Sequence, residues 1–261
     1  MQIDPWHPLR RHTAARIALG RSGGSVPTAA QLDFRLAHAR ARDAVLAPFN
    51  PDALATALHP LGSPVLVVES AARDRAEFLQ RPDLGRRLAH TSRALLTGHA
   101  AVACDLVIIA SDGLSTLAAQ TQIVPLLTTL LPLFQADGWT LAPIVVAHQA
   151  RVALQDEIGE ILRAKISLML LGERPGLGSA DSLGAYFTHS PALGTTDADR
   201  NCLSNIRSGG LPPAAAARKL HHLLTQSRRL GLSGVRLKDD SDALPPGPAT
   251  VSEIDSRPTD A

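Results

Sequence analysis

Hydrophobic and polar positions change their rhythm along the chain. Over residues 1–60 little alternates with period two, while Leu32, Leu36, Ala39 and residues 43–46 recur at helical spacing, which predicts a small helical N-terminal segment. A loop, Arg21-Ser22-Gly23-Gly24-Ser25-Val26-Pro27-Thr28, precedes that helix, with Thr28 as its expected N-cap. Val65-Leu66-Val67-Val68 reads as a short buried strand, and Arg73-Asp74-Arg75-Ala76-Glu77-Phe78-Leu79 as the exposed first turns of a helix. From about residue 100 apolar strands alternate with helices: strand 106–110, a helix through Leu133, strand 144–147, helix 156–163 and strand 166–171. A further strand is expected at 185–188, and an amphipathic helix over 213–230 ends at Gly231. Fully apolar strands alternating with helices imply an α/β fold: Rossmann-like, with a mostly parallel open sheet covered by helices on both faces. The expected organisation is an N-terminal segment over 1–60, a sheet domain over 61–240 and a Pro-, Ser- and Asp-rich disordered tail over 241–261.

Composition narrows the function classes. The 261 residues are 45% hydrophobic, enough for one substantial core. One Tyr, two Trp and five Phe cannot furnish a row of base-stacking rings, and a net charge of +2 is too small an electrostatic footprint for DNA or RNA. Cys104 and Cys202 are the two cysteines; with no leader recognisable at the start, both are expected as free thiols in a cytoplasmic protein. The longest apolar runs fall short of the roughly 20 residues of a membrane span, so no membrane association is expected.

In open parallel sheets ligands sit beyond the carboxyl ends of the strands, so the residues following each predicted strand are the candidates for chemistry. Ser111-Asp112-Gly113-Leu114-Ser115 is a tight turn into a helix whose free N–H groups are positioned to receive an anion or polar ligand group. Gly172-Glu173-Arg174-Pro175-Gly176-Leu177-Gly178-Ser179 carries glycines that allow close approach of backbone. Asp197-Ala198-Asp199-Arg200-Asn201-Cys202-Leu203-Ser204-Asn205 sets polar groups beside one thiol in a polar loop. Each also has an ordinary structural reading: a common strand-to-helix turn, a Glu173–Arg174 surface pair, a small buried cysteine. No phosphate loop of the Gly-x-x-x-x-Gly-Lys-Ser/Thr type and no Gly-x-Gly-x-x-Gly turn follows a strand, so ordinary NTP or dinucleotide use is unsupported. Gly20-Arg21-Ser22-Gly23-Gly24 matches the nucleophile-elbow spacing without its strand, and no His-Glu-x-x-His pair marks a zinc site.

Taken together, in their order and spacing, four runs resemble the small subunit of ethanolamine ammonia-lyase. They are Arg73-Asp74-Arg75-Ala76-Glu77-Phe78-Leu79-Gln80-Arg81-Pro82-Asp83-Leu84-Gly85-Arg86, Ser111-Asp112-Gly113-Leu114-Ser115, Gly172-Glu173-Arg174-Pro175-Gly176-Leu177 and Asp199-Arg200-Asn201-Cys202-Leu203-Ser204-Asn205-Ile206. The resemblance implies one component of a hetero-oligomeric, adenosylcobalamin-dependent lyase that converts ethanolamine to acetaldehyde and ammonia by a radical route. A large subunit, a β/α barrel, then supplies the substrate pocket and most catalytic groups, the helical N-terminal segment packs on it, and this chain covers the cobalamin at the interface. Carried over from that family, the cofactor contacts are Val152, Glu173 and Cys202, with no catalytic group and no metal ligand from this chain.

No Asp-x-His-x-x-Gly run is present, so the cofactor's own dimethylbenzimidazole is expected to stay on cobalt. The match begins close to Met1, where some relatives carry an extension associated with packaging. A free cytoplasmic enzyme is therefore the expectation, with a bacterial microcompartment as the other possible setting. Two further readings stay open on sequence: a non-catalytic ligand-binding or adaptor protein on the same sheet, and a hydrolase using Ser22 or Cys202.

Overall fold

The apolar runs beyond residue 60 form strands because helices on either side can bury both of their faces. The computed structural model describes residues 4–100 and 103–240. In it β1 (Val65–Glu69), β2 (Cys104–Ser111), β3 (Ile144–His148), β4 (Ala164–Gly172), β5 (Leu183–His189) and β6 (Arg200–Ile206) make one six-stranded sheet, ordered β1-β3-β2-β4-β5-β6. Pairing is parallel from β1 to β4. β5 and β6 join by antiparallel pairing, so the sheet is mixed around a four-stranded parallel core.

The helices are α1 (Thr28–Leu46), α2 (Pro51–Leu58), α3 (Arg75–Gln80), α4 (His90–Gly98), α5 (Thr116–Ala136), α6 (Leu154–Ile161) and α7 (Pro213–Leu230). The period-two geometry of β2 splits its side chains between two cores. Leu106, Ile108 and Ala110 pack with residues of α2, α5 and α7, while Val107 and Ile109 pack with Leu96 of α4 and Leu154 and Ile158 of α6. Among the described residues α5 is the one helix long and apolar enough to cross a membrane. Its Ile123, Leu126, Leu127 and Leu130 are instead fully buried in the first core, where α5 lies against both the sheet and α7.

Several expectations change on the structure. Residues 200–206 form an edge strand rather than a polar loop, because their polar groups find partners across the sheet and beyond it. The sheet is not covered throughout: Cys202 and Ser204 of β6 are exposed, on the face they share with Tyr186 of β5. Thr28 is the first residue of α1 and makes no side-chain cap, the preceding Pro27 standing at the N-cap position. The helix expected over 156–163 occupies Leu154–Ile161, and Arg163 turns the chain with φ at 53°. The stretch around Phe78 is not simply exposed, since Phe78 is fully buried. Gly231 ends α7 in the left-handed conformation, as its position predicts. The tail over 241–261 lies outside the described residues.

Candidate functional site

The parallel core points the carboxyl ends of β2, β3 and β4 in one direction, and a cavity of 470 Å³ opens there. Gly113 and Leu114 follow β2, Arg151 and Val152 follow β3, Glu173 and Arg174 follow β4, and Tyr186 rises from β5. Two glycines let these loops close up. Gly113 takes a left-handed φ of 49°, and a Cβ on it would overlap the Gly172 carbonyl; a Cβ on Gly172 would overlap the carbonyls of Ser115 and Asp112.

Ser111 and Asp112 fasten the floor. The Asp112 carboxylate accepts from the Gln149 backbone N–H at 2.7 Å and from Arg75 at 3.0 Å; the same Arg75 nitrogen donates to the Gly113 carbonyl at 2.6 Å. Burial pushes the Asp112 carboxyl up, against the downward pull of His148 and Arg75. Four of the N–H groups that the sequence offers to an anion are already used here. Gly113 N–H donates to Ser111 Oγ, Leu114 N–H to the Gly172 carbonyl, Ser115 N–H to the Asp112 carbonyl and Ala118 N–H to Ser115 Oγ. That turn binds itself and the neighbouring loop.

Glu173 reaches over the open face of β5 and β6. One carboxylate oxygen accepts from Ser204 Oγ at 2.6 Å and, at 3.4 Å, from the Tyr186 hydroxyl; the other accepts from Ser182 Oγ at 2.6 Å and the Asn205 N–H at 3.2 Å. Glu173 thus holds the β4–β5 turn to the edge strand, and the expected Glu173–Arg174 pair gives way to these bonds. Its one long contact, to Tyr186, is the one most easily surrendered to a ligand donor. Cys202 lies directly across from Tyr186 in the strand register. Burial raises the Tyr186 hydroxyl, with Cys202 and Glu173 adding to the effect. Cys202 is raised too, by the packing around its sulfur and by the Glu173 charge, so at neutral pH it stays a thiol.

The structure therefore brings the three sequence-derived positions onto one side of the molecule. Val152 and Glu173 line the same cavity, and Cys202 sits at its margin beside Tyr186. Sequence reasoning missed Tyr186, Arg151, Ser182 and Ser204. Tyr186 is the one tyrosine of the chain and falls inside a predicted strand, a signal that was available. A second cavity, also 470 Å³, adjoins the first at Arg151 and Val152 and takes in Arg86, Asp197 and Arg200. Between its walls Arg200 of β6 pairs with Asp156 of α6 through two bonds of 2.6 and 2.7 Å, both side chains being almost wholly buried. His221 and His222 turn to different carboxylates, Asp137 and Asp240, as adjacent helical positions must.

Residues 3–238 match the family model described as Ethanolamine ammonia-lyase light chain (EutC). The chain is 54% identical over 242 residues to the "Ethanolamine ammonia-lyase small subunit" of Azotobacter vinelandii, covering 92% of this chain and 90% of that one. It is 53% identical over 242 residues to the protein of the same description from Pseudomonas putida, with 92% and 89% covered. The corresponding protein of Pseudomonas fluorescens is 51% identical over 241 residues, with 91% and 87% covered. With a match of this extent, the chain belongs to the ethanolamine ammonia-lyase small subunit family.

Proposed function

We propose that this chain is the small subunit of an adenosylcobalamin-dependent ethanolamine ammonia-lyase, and that the cavity at the carboxyl ends of β2, β3 and β4 is its share of the cobalamin site. The observation that carries this reading is the convergence of Val152, Glu173 and Cys202 on one surface. The lining suits a corrin. Gly113 and Gly172 let the two loops pack together and put backbone on the cavity wall, Val152 and Leu114 offer apolar cover, and Glu173 is an acceptor for a peripheral amide. A whole cobalamin is larger than 470 Å³, so this chain covers one side of it and leaves the rest to a partner. Leu32, Phe34 and Leu36, each exposed on α1, supply apolar surface for that large subunit.

When bound, the cofactor supplies the carbon-radical chemistry that converts ethanolamine to acetaldehyde and ammonia. This chain's residues orient and shield. Tyr186, Val152 and the 173–179 loop close water out from one side, and the un-ionised Cys202 and Tyr186 present neutral donors beside the Glu173 carboxylate. Acetaldehyde should form from ethanolamine and adenosylcobalamin only when this chain and the large subunit are mixed, and Glu173→Ala should weaken cobalamin binding by the complex. Acetaldehyde from this chain alone, or a Glu173→Ala complex with undiminished cobalamin affinity, would contradict the assignment. The cytoplasmic setting belongs to the same proposal, and fractionation of cells checks it.

A further inference from the structure

The second cavity is cationic in a way that the fold does not use. Arg200 is spent on Asp156, and the Asp197 carboxylate leans on Arg200 Nε at 3.5 Å while its side chain stands in solvent. The two threonine hydroxyls of the lining donate elsewhere, Thr195 to the Ala192 carbonyl and Thr196 to Asp199. Arg86 and Arg151 remain. Among the described residues neither pairs with a carboxylate. Arg151 lies over the Phe78 ring at 4.2 Å and gives one nitrogen to the Phe78 carbonyl at 3.0 Å, while its Nε is buried with no acceptor. Burial lowers the Arg151 guanidinium, and the charges of Arg75 and Arg86 lower it further; Arg75 is answered by Asp112, whereas the paired positive charge of Arg86 and Arg151 is not. A buried donor without an acceptor is costly, and paired arginines are the usual answer to a phosphate.

We infer that Arg86 and Arg151 hold a phosphodiester, the ionised group that joins the corrin side arm to the nucleotide base of the cofactor. This rests on the cobalamin reading of the first cavity. The geometry fits because Val152 and Arg151 line both cavities: a corrin seated over Val152 places its nucleotide arm next door.

Three corrinoids separate the parts in the complex of this chain with the large subunit: adenosylcobalamin, cobinamide, and cobinamide phosphate, which differs from cobinamide by the phosphate alone. Affinities are read by equilibrium dialysis, with no turnover involved. In the wild-type complex the added phosphate should tighten cobinamide binding about tenfold or more, and less at high salt. Arg86→Gln and Arg151→Gln should each erase most of that gain, and Arg86→Gln, which lies outside the first cavity, should leave cobinamide affinity within about twofold. Because Arg86 is exposed, its variant reports even if Arg151→Gln impairs folding. Inorganic phosphate should compete with cobinamide phosphate and not with cobinamide. A gain that survives both substitutions, an equal loss for both cobinamides in Arg86→Gln, or no preference in the wild type would overturn the assignment. Inorganic phosphate bound without effect on either corrinoid would overturn it as well, marking a site for free anions. Failure to bind any corrinoid would sink the cobalamin reading itself, and this inference with it.

Discussion

Replacing Arg200 by Met removes the guanidinium that ties the edge strand to α6 and leaves Asp156 buried, with 3% of its side chain exposed, opposite a thioether. Two short bonds to the carboxylate disappear, along with those to the Thr188 hydroxyl and the Thr195 carbonyl. Breaking a buried pair from one side costs about 3–5 kcal/mol, because the surviving charge keeps its desolvation penalty and loses its partner. Removing both charges should be far milder, so Arg200→Met with Asp156→Leu should recover most of the loss. Burial already pushes the Asp156 carboxyl up, with Arg200 opposing it. In the single variant that opposition is gone. A carboxyl raised in the folded state favours the fold at pH below its ordinary value, about 4, and loses that advantage as pH rises through the raised one. The deficit should therefore be largest near neutrality and shrink toward acid. Urea unfolding followed by circular dichroism reads the shift in midpoint at unchanged slope. A single-variant cost under about 1 kcal/mol, or a double variant no better than the single, would refute the view that this pair braces the two walls of the second cavity.

Asp105 accepts from the Thr140 N–H and hydroxyl and pairs with Lys165 and Arg228. Burial alone would raise its carboxyl, yet these partners bring it below the ordinary value, so its contribution is full above about pH 4 and is lost as pH falls through the lowered one. Asp105→Asn should cost about 2 kcal/mol at pH 7, a gap that closes in urea titrations at acid pH. Gly172→Ala places a methyl against the Ser115 and Asp112 carbonyls and should lower stability by about 1–3 kcal/mol in thermal unfolding, with cobalamin affinity falling alongside. Cys202, exposed but with its thiol raised, should alkylate more slowly than free cysteine at pH 8, while Cys104 should react only on unfolding; mass spectrometry of timed samples separates the two.

Strands β2, β3 and β4 were legible because burial on both faces demands unbroken apolar runs, and β1 and β5 from shorter apolar stretches. β6 was not, and the reason is physical. Arg200 is satisfied by Asp156, Asn201 gives its amide to the Gly234 and Leu237 carbonyls, and Ser204 bonds Glu173, so polar partners hold this strand where hydrophobic alternation usually would. For the site, the carboxyl-end rule led to the loop of Glu173 from the pattern alone, whereas Val152 came with the family resemblance. The stretch around Cys202 was singled out as a polar loop, its cofactor role came with the same resemblance, and its strand could not be read. Arg151 escaped notice because its meaning depends on Arg86 and Phe78, far away in sequence and brought together only by the fold.

The strand order has a consequence for how the protein is made. Val65 pairs with Ile144, and the first cavity needs Tyr186, so a chain emerging from the ribosome carries β1 as an unpaired ribbon until β3 arrives, and the binding face is completed later still. Contacts so distant along the chain slow folding. A ligand that recognises this face can select only molecules whose whole sheet has assembled, so its binding should lengthen the survival of finished chains and do nothing for nascent ones.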